Sequence, residues 1–120
     1  MFAFRPTLIL SGMVADDLSL LLEEIEQLLH EPPRGGLDAV ARVEETLTDG
    51  YARALALEAE RWRTERRIAE VAKLVAEGST AGVAELSTLS GRLEQAEADL
   101  RRLRDRLGSL RRHAEAVRAA

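Results

Sequence analysis

Two histidines, His30 and His113, are the side chains in this 120-residue chain best suited to bind a metal or move a proton near neutral pH. A di-iron helical bundle needs a Glu-x-x-His spacing, which places both ligands on one face of a helix. Gln27 and Leu110 occupy the positions three residues before the two histidines. Glu26 and His30 share a helix face, but two ligands do not complete a metal site. We therefore expect no metal site and interpret His30 as a residue at the C-terminal end of a helix.

Other catalytic arrangements are equally hard to find in the sequence. The chain has no cysteine, which excludes thiol catalysis, disulfides and thiolate metal sites. The Gly78–Gly82 segment lacks the lysine and the spacing of a phosphate-binding loop. Glu23 and Glu24 are adjacent, so on a helix they point to different sides. We expect no catalytic residue and no cofactor, and interpret the chain as a protein that is not an enzyme.

Arginine clusters give the strongest chemical alternative. Arg63, Arg66, Arg101 and Arg102 could form a phosphate-binding patch, with Trp62 available for stacking on a base. The chain as a whole carries a formal net charge of −4, however, and is not basic enough to indicate nucleic acid by charge alone. Acidic residues also interleave with the clusters, as on a salt-bridged helical surface. These residues are Glu58, Glu60, Glu65, Glu97, Asp99 and Asp105.

The composition predicts that long helices position these side chains. Apolar residues make up 46% of the chain, aromatic residues 3% and charged residues 32%. Such a chain must build its core from leucine, valine and alanine, which is typical of long amphipathic helices. The length is that of a single domain.

Proline and glycine divide the chain into an extended arm over residues 1–12 and one helical domain over residues 13–120. A Pro-Pro-Arg-Gly-Gly loop ends the first helix. The segment Gly78–Gly82 is too short for anything but a reversal, so the helices on either side must be antiparallel neighbours. The predicted helices cover residues 14–30, 38–77 and 83–118.

An apolar heptad seam is the clearest repeat in the chain. On the third helix its members are Leu86, Leu89, Leu93, Ala96, Leu100, Leu103, Leu107, Leu110, Ala114 and Val117. A matching but less regular seam on the second helix includes Arg61 and Thr64. Folding about residue 80 places Glu44 near Arg118 and Glu58 near Arg104. The sequence therefore predicts an all-α fold, a long antiparallel coiled-coil hairpin with the shorter first helix packed at its base.

Gly50 interrupts the seam of the second helix and allows two interpretations. A glycine costs about 1 kcal/mol relative to alanine inside a helix, so it needs a reason to be there. It could mark a close-approach point where the first helix, a symmetry mate or a partner crosses the hairpin, or it could be a weak point or a break in the second helix. We favour the weak point, and the sequence alone leaves the continuity of this helix open.

Surplus apolar surface on the first two helices predicts self-association into a helical-bundle dimer. On the second helix this surplus is a stripe formed by Tyr51, Leu55, Trp62 and Ala69. The residues expected at the interface are Leu22, Leu29, Tyr51, Leu55 and Trp62.

The main interpretation is a non-catalytic interaction protein, a scaffold or adaptor acting through self-association and its helical-hairpin arm. Two alternatives stay open. One is a nucleic-acid-binding regulator that uses the arginine clusters, and the other is a small acidic helical chaperone that holds a partner protein.

The sequence contains no apolar stretch of the roughly 20 residues that a bilayer requires. Near the N-terminus, Pro6 interrupts the apolar residues and leaves only Leu8–Leu10 as a hydrophobic core, which is short for a signal peptide. We expect a cytoplasmic protein without a membrane span.

Overall fold

Within residues 6–120 the chain forms three α-helices. The structure is a computed structural model that describes the backbone of residues 6–120 and the side chains of residues 17–120. Helix α1 is Pro6–His30, α2 is Leu37–Ala76 and α3 is Ala81–Ala119. The all-α prediction is confirmed, and the ends of α2 and α3 fall within two residues of the predicted bounds.

The start of α1 differs from the prediction. Residues 6–12, which we expected to be extended, belong to the helix. Proline is compatible with the first helical turn because its missing N–H has no partner to find there, and its fixed φ angle suits the helix. Pro6, the first residue that the structure describes, is therefore compatible with a helix over residues 6–12. The remainder of the predicted arm, residues 1–5, lies outside the described residues.

The chain is divided into two compact units. The first contains the described residues up to Arg53 together with Asp105–Ala120, so it combines α1, the beginning of α2 and the end of α3. Its core is aliphatic, and α1 contributes one full stripe of it. The buried side chains of this unit include Leu18, Leu22, Ile25, Leu28, Val43, Leu47, Leu107, Leu110, Ala114 and Val117.

Polar contacts join α1 to both other helices in the first unit. The Thr46 hydroxyl, which is buried, donates to a Glu24 carboxylate oxygen at 3.1 Å. Glu26 forms an ion pair with Arg106 of α3. These contacts place α1 along the base of α2, as the sequence predicted.

The second unit, Ala54–Arg104, contains only α2 and α3. Its core is thinner because two helices can cover each other on one face only. Its buried apolar residues are Ala54, Leu57, Val71, Leu89, Ala96, Leu100 and Leu103. The second unit therefore exposes more of each helix than the three-helix first unit does.

The predicted register of the hairpin is confirmed in both units. Arg118 forms an ion pair with Glu44 in the first unit, and Arg104 forms one with Glu58 in the second. The seam residues of α3 are all buried except Leu86 and Leu93, which are half-buried. The heptad pattern thus identified the buried face and the alignment of the two antiparallel helices.

The reversal between α2 and α3 uses one residue to cap both helices. Gly78 has a φ of 104°, and Ser79 N–H donates to the Leu74 carbonyl at 3.0 Å. Gly78 N–H donates to the Val75 carbonyl at 3.0 Å, which completes a Schellman ending for α2. The Ser79 hydroxyl then accepts a hydrogen bond from Gly82 N–H at 3.2 Å and caps the start of α3.

Gly50 lies inside a continuous α2, so the helix is not broken there. It is buried, and a Cβ atom at this position would clash with the Leu107 side chain of α3. Gly50 is therefore a close-approach point between α2 and α3. The interpretation as a weak point was wrong, and the helix that approaches is α3, which was not among those expected there. The heptad pattern could not show this because the size of the opposing residue decides which interpretation applies.

Candidate interaction face

The second unit presents a strip of exposed side chains on one face of α2. Leu55, Trp62 and Ala69 are spaced seven residues apart, and seven residues are close to two helical turns. Leu55 is 66% exposed and Trp62 is 57% exposed, and Ala69 is also exposed. These three residues form an apolar line that the rest of the described chain does not cover.

A second set of exposed residues alternates with this line. Ala59, Arg66 and Lys73 are also seven residues apart, and each lies three or four residues from a member of the first set. Residues at these spacings share one side of a helix. We call the two sets together the Trp62 face. Its members are Leu55, Ala59, Trp62, Arg66, Ala69 and Lys73.

The Trp62 face has the spacing of a heptad seam, in which positions recur after three and four residues. On α2 it is additional to the seam that packs against α3, and all six of its residues are exposed. The second helix therefore carries one seam that packs against α3 and another that the described part of the chain does not cover.

Two cations lie within the Trp62 face. The Arg66 guanidinium carbon is 4.9 Å from the centre of the Trp62 ring, within cation–π distance. Within the described part of the chain, neither Arg66 nor Lys73 forms an ion pair. Both cations are therefore available to a partner that approaches this face.

Charged residues also border the Trp62 face on both sides. Arg63 lies on one side and Glu65 on the other, both are exposed, and no ion pair within the described chain includes either. Glu58, on the side of Glu65, is paired with Arg104. Arg63 and Glu65 thus lie on opposite edges of the strip.

The five residues predicted at an interface are divided between the two units and differ in exposure. Leu22 is buried in the core of the first unit, and its place at an interface stays a prediction. Leu29 is half-buried in the same unit. Tyr51 is 42% exposed and also belongs to the first unit, whereas Leu55 and Trp62 are in the second. The sequence predicted surplus apolar residues on both α1 and α2. It could not tell which of these residues the packing of α1 would bury.

The four arginines of the predicted phosphate patch, Arg63, Arg66, Arg101 and Arg102, are all exposed in the second unit. None of them forms an ion pair with another described residue. Consecutive helical residues point about 100° apart, so Arg101 and Arg102 cannot lie on one face of α3. The structure therefore distributes these charges over more than one surface.

Arg67 shows how the neighbouring acidic residues neutralise part of the arginine cluster. Its Nε is 2.9 Å from a Glu85 carboxylate oxygen, and its Nη1 is 3.4 Å from Glu70. The hydrogen bond and the charge of Glu85 raise the pKa of Arg67, with a smaller contribution from Glu70. Arg67 is fully engaged within its own chain and is a poor candidate for binding phosphate.

A polar residue occupies the middle of the covered seam in the second unit. Arg61 is half-buried, and its Nε atom is buried without a hydrogen-bond partner among the described residues. A buried donor of this kind loses its hydrogen bonds to water without forming one to the protein, which destabilises the folded state. Ala96, a seam residue of α3 in the same unit, is buried. The second unit therefore has a weak core as well as a thin one.

The two histidines lie in different surroundings within the first unit. His30 Nδ1–H donates to the Glu26 carbonyl at 2.7 Å, in the last turn of α1, which agrees with a helix-terminal role. Among the residues with described side chains, no group of three or more histidine, aspartate or glutamate residues lies close enough to hold a metal ion. His113 lines a cleft in the first unit whose walls include Arg34 and Arg42. Arg42 is already engaged there, with its Nη2 3.2 Å from Glu31.

The apolar stripe on α2 was predicted from the sequence, but the residues that complete the Trp62 face were not. Ala59, Arg66 and Lys73 have the same seven-residue spacing as Leu55, Trp62 and Ala69. A search for apolar periodicity passes over them because alanine is small and the other two are charged. The seven-residue spacing of these three residues could have identified them as part of the same face.

In the part of the chain that the structure describes, no helix is long and apolar enough to cross a membrane. The chain matches no protein-family model, and no curated protein and no solved structure matches it either.

Proposed function

We propose that this chain is a non-catalytic interaction protein that self-associates through its helical-hairpin arm and acts as a scaffold or adaptor. The exposure of Leu55 and Trp62 on one face of a unit made of only two helices is the observation that supports this proposal. The location of the protein in the cytoplasm and the coiled-coil packing of α2 with α3 stay predictions from the sequence.

The physical argument rests on what exposed apolar groups gain from a partner. Burying apolar surface contributes about 25 cal/mol per Å², and tryptophan is among the residues that contribute most at protein interfaces. The second unit also has a thin core, and small helical scaffolds often gain stability from oligomerisation. A partner on the Trp62 face would add a second apolar contact to α2.

Light scattering after size exclusion, over a tenfold range of protein concentration, tests the proposal. We expect a dimer for the natural chain and a monomer for the double variant Leu55→Ser/Trp62→Ser. These two side chains supply most of the apolar area of the Trp62 face, whatever the orientation of the partner. They are exposed in the single chain, so their replacement should leave its fold intact.

The matched control is Leu20→Ser/Leu37→Ser. Leu20 is 61% exposed and Leu37 is 89% exposed, and both lie in the first unit. This control removes exposed apolar surface elsewhere and should keep the mass of the natural chain.

A dimer that is unchanged by Leu55→Ser/Trp62→Ser would contradict the proposed interface. A natural chain that is monomeric throughout the concentration range would contradict self-association altogether. The exposed face would then be better explained by the alternative of a small acidic chaperone or adaptor for a different protein.

Nucleic-acid binding is a second candidate function, supported by the exposed Arg63, Arg101 and Arg102, which form no ion pair within the described chain, and by Arg66 over Trp62. It predicts binding to single-stranded DNA or RNA that weakens steeply with salt. Arg102→Ser should reduce this affinity, whereas Arg67→Ser should not, because Glu85 already occupies Arg67. Absence of binding at low salt would exclude this candidate.

A further inference from the structure

We propose that the partner on the Trp62 face is a second copy of this chain whose α2 lies antiparallel, with the twofold axis midway between Trp62 and Arg66. This inference rests on the proposed self-association and specifies its geometry. A twofold interface places the same surface on both copies, so a residue before the axis meets the residue at the same distance after it. The Trp62 face can therefore be examined for self-complementarity.

The antiparallel arrangement pairs unlike side chains at every level of the strip. Trp62 of one copy faces Arg66 of the other, Ala59 faces Ala69, and Leu55 faces Lys73. Each of these pairs occurs twice because of the symmetry. The small Ala59 and Ala69 allow the two helices to approach closely on either side of the axis.

The aromatic and aliphatic residues suit the cations that they would meet. Arg66 lies 4.9 Å from the centre of the Trp62 ring within one chain, so the indole already receives a guanidinium at one face. In the antiparallel pair, the partner's Arg66 can reach the other face of the same ring. The Lys73 stem is aliphatic and can lie along Leu55 while its ammonium group stays in water.

The two cations decide the orientation of the second copy. In a parallel pair with the same register, Arg66 would face Arg66 and Lys73 would face Lys73 within the contact. Like charges across an interface are unfavourable, and neither cation has an anion of its own chain to neutralise it. The antiparallel pair separates these charges and gives each of them a different neighbour.

The charged residues at the edges of the strip affect the choice between the two orientations less than Arg66 and Lys73 do. An antiparallel pair brings Arg63 near Arg63 and Glu65 near Glu65 at the axis, one contact each. A parallel pair brings Glu58 near Arg63 and Glu65 near Glu70, but Glu58 is already paired with Arg104 and Glu70 with Arg67. These edge positions are exposed to solvent and contribute little, so the cations within the strip are decisive.

The size of the contact indicates how strong the association is. From Leu55 to Lys73 it covers about 27 Å of helix, at 1.5 Å per residue. Such a contact is short for an obligate dimer, and we therefore expect association that depends on protein concentration.

Cysteine cross-linking tests the orientation, because the chain has no cysteine of its own. Ala59→Cys and Ala69→Cys would be prepared as separate single variants and treated with a short bismaleimide at a concentration where the natural chain is dimeric. We expect the mixture of the two variants to cross-link and Ala59→Cys alone not to. Cross-linking of Ala59→Cys alone, as fast as in the mixture, would show a parallel pair and overturn the inference.

Opposite charges introduced at Leu55 provide an independent measurement. Leu55→Glu and Leu55→Lys remove the same apolar side chain, but only the introduced carboxylate can pair with Lys73 of the other copy. We expect Leu55→Glu to dimerise about tenfold more tightly than Leu55→Lys. The difference should disappear when Lys73→Gln is added to both variants. Equal dimerisation of the two single variants would contradict the pairing of Leu55 with Lys73.

Neutralisation of Arg66 gives opposite results for the two orientations. In the antiparallel pair, Arg66→Gln removes two cation–π contacts and should weaken dimerisation about tenfold. In a parallel pair the same variant would remove a repulsion and strengthen dimerisation. Tighter association of Arg66→Gln, measured by analytical ultracentrifugation, would overturn the inference.

The single tryptophan reports the contact directly. Trp62 is the only tryptophan in the chain and is exposed in one copy, so its emission should shift to shorter wavelength as the protein is concentrated. A dimer that Leu55→Ser/Trp62→Ser dissociates, but that lacks the 59–69 cross-link, would overturn the antiparallel pairing and leave self-association intact. A natural chain with constant monomer mass and constant emission would overturn both.

Discussion

Gly50 and Gly91 are both helical glycines, yet their surroundings give them opposite roles. A Cβ atom at Gly50 would meet the buried Leu107 side chain, whereas nothing lies within 4 Å of a Cβ atom at Gly91. The first glycine allows α2 and α3 to approach, and the second only increases the freedom of the unfolded chain. The same residue type therefore stabilises the fold at one position and weakens it at the other.

We expect Gly91→Ala to stabilise the protein by about 0.5–1 kcal/mol, the difference in helix propensity between the two residues. Gly50→Ala should destabilise it by about 1 kcal/mol or more, because Leu107 is tightly packed and must move. Urea denaturation followed by circular dichroism measures both free energies of unfolding. If Gly50→Ala were as stabilising as Gly91→Ala, the close approach of α2 and α3 at Gly50 would be disproved.

Individual contacts could be predicted from the sequence where spacing alone decides them. The pairs Glu44–Arg118 and Glu58–Arg104 follow from one reversal point and the heptad repeat, and both are present. The burial of Leu22 could not be predicted, because Leu22 and Leu55 both lie on apolar stripes. Whether each of these leucines is covered depends on where α1 packs, which the spacing of apolar residues does not specify.

The turn between α2 and α3 is the element whose chemistry is most completely defined. Ser79 donates its backbone N–H to end α2 and accepts with its hydroxyl to begin α3. The sequence identified Gly78–Gly82 as the reversal from its glycines and its length. The double role of Ser79 depends on the backbone geometry of the turn, which a list of residues does not contain.

Removal of the Ser79 hydroxyl should therefore weaken the start of α3. We expect Ser79→Ala to lower the free energy of unfolding by about 1 kcal/mol, the usual contribution of a helix N-cap. Thr80→Ala is the control, because Thr80 is exposed and adjacent but its hydroxyl does not bond to Gly82 N–H. Equal effects of the two substitutions, measured by thermal unfolding, would show that the Ser79 cap does not stabilise the helix in solution.

The whole molecule combines a three-helix unit and a two-helix unit in one chain. The composition, the positions of proline and glycine, and the heptad repeat were sufficient to predict three helices, their order and the hairpin register. They were not sufficient for residues 6–12, since proline is compatible with the first turn of a helix as well as with an extended arm. The Trp62 face required the structure as well, because exposure is a property of the packed molecule.

Hydrogen exchange should distinguish the two units. The second unit has a thin core with Arg61 in its covered seam, so we expect its amides to exchange faster than those of the helices in the first unit. Protection of residues 55–73 should increase with protein concentration if this segment forms the dimer contact. Mass spectrometry of peptides from each unit measures both effects, and equal protection at high dilution would contradict the first expectation.

The division of the chain also has a consequence for the order of folding during synthesis. Ion pairs within the second unit join residues as near in sequence as Arg67 and Glu85, 18 positions apart, whereas Arg118 and Glu44 of the first unit are 74 apart. Contacts between near residues form early because little loop entropy is lost. The leucines of α1 leave the ribosome first, yet their α3 neighbours are translated only after the entire second unit. We expect the apolar stripe of α1 to stay exposed until the end of α3 has been translated. Exposed apolar surface makes a nascent chain prone to aggregate.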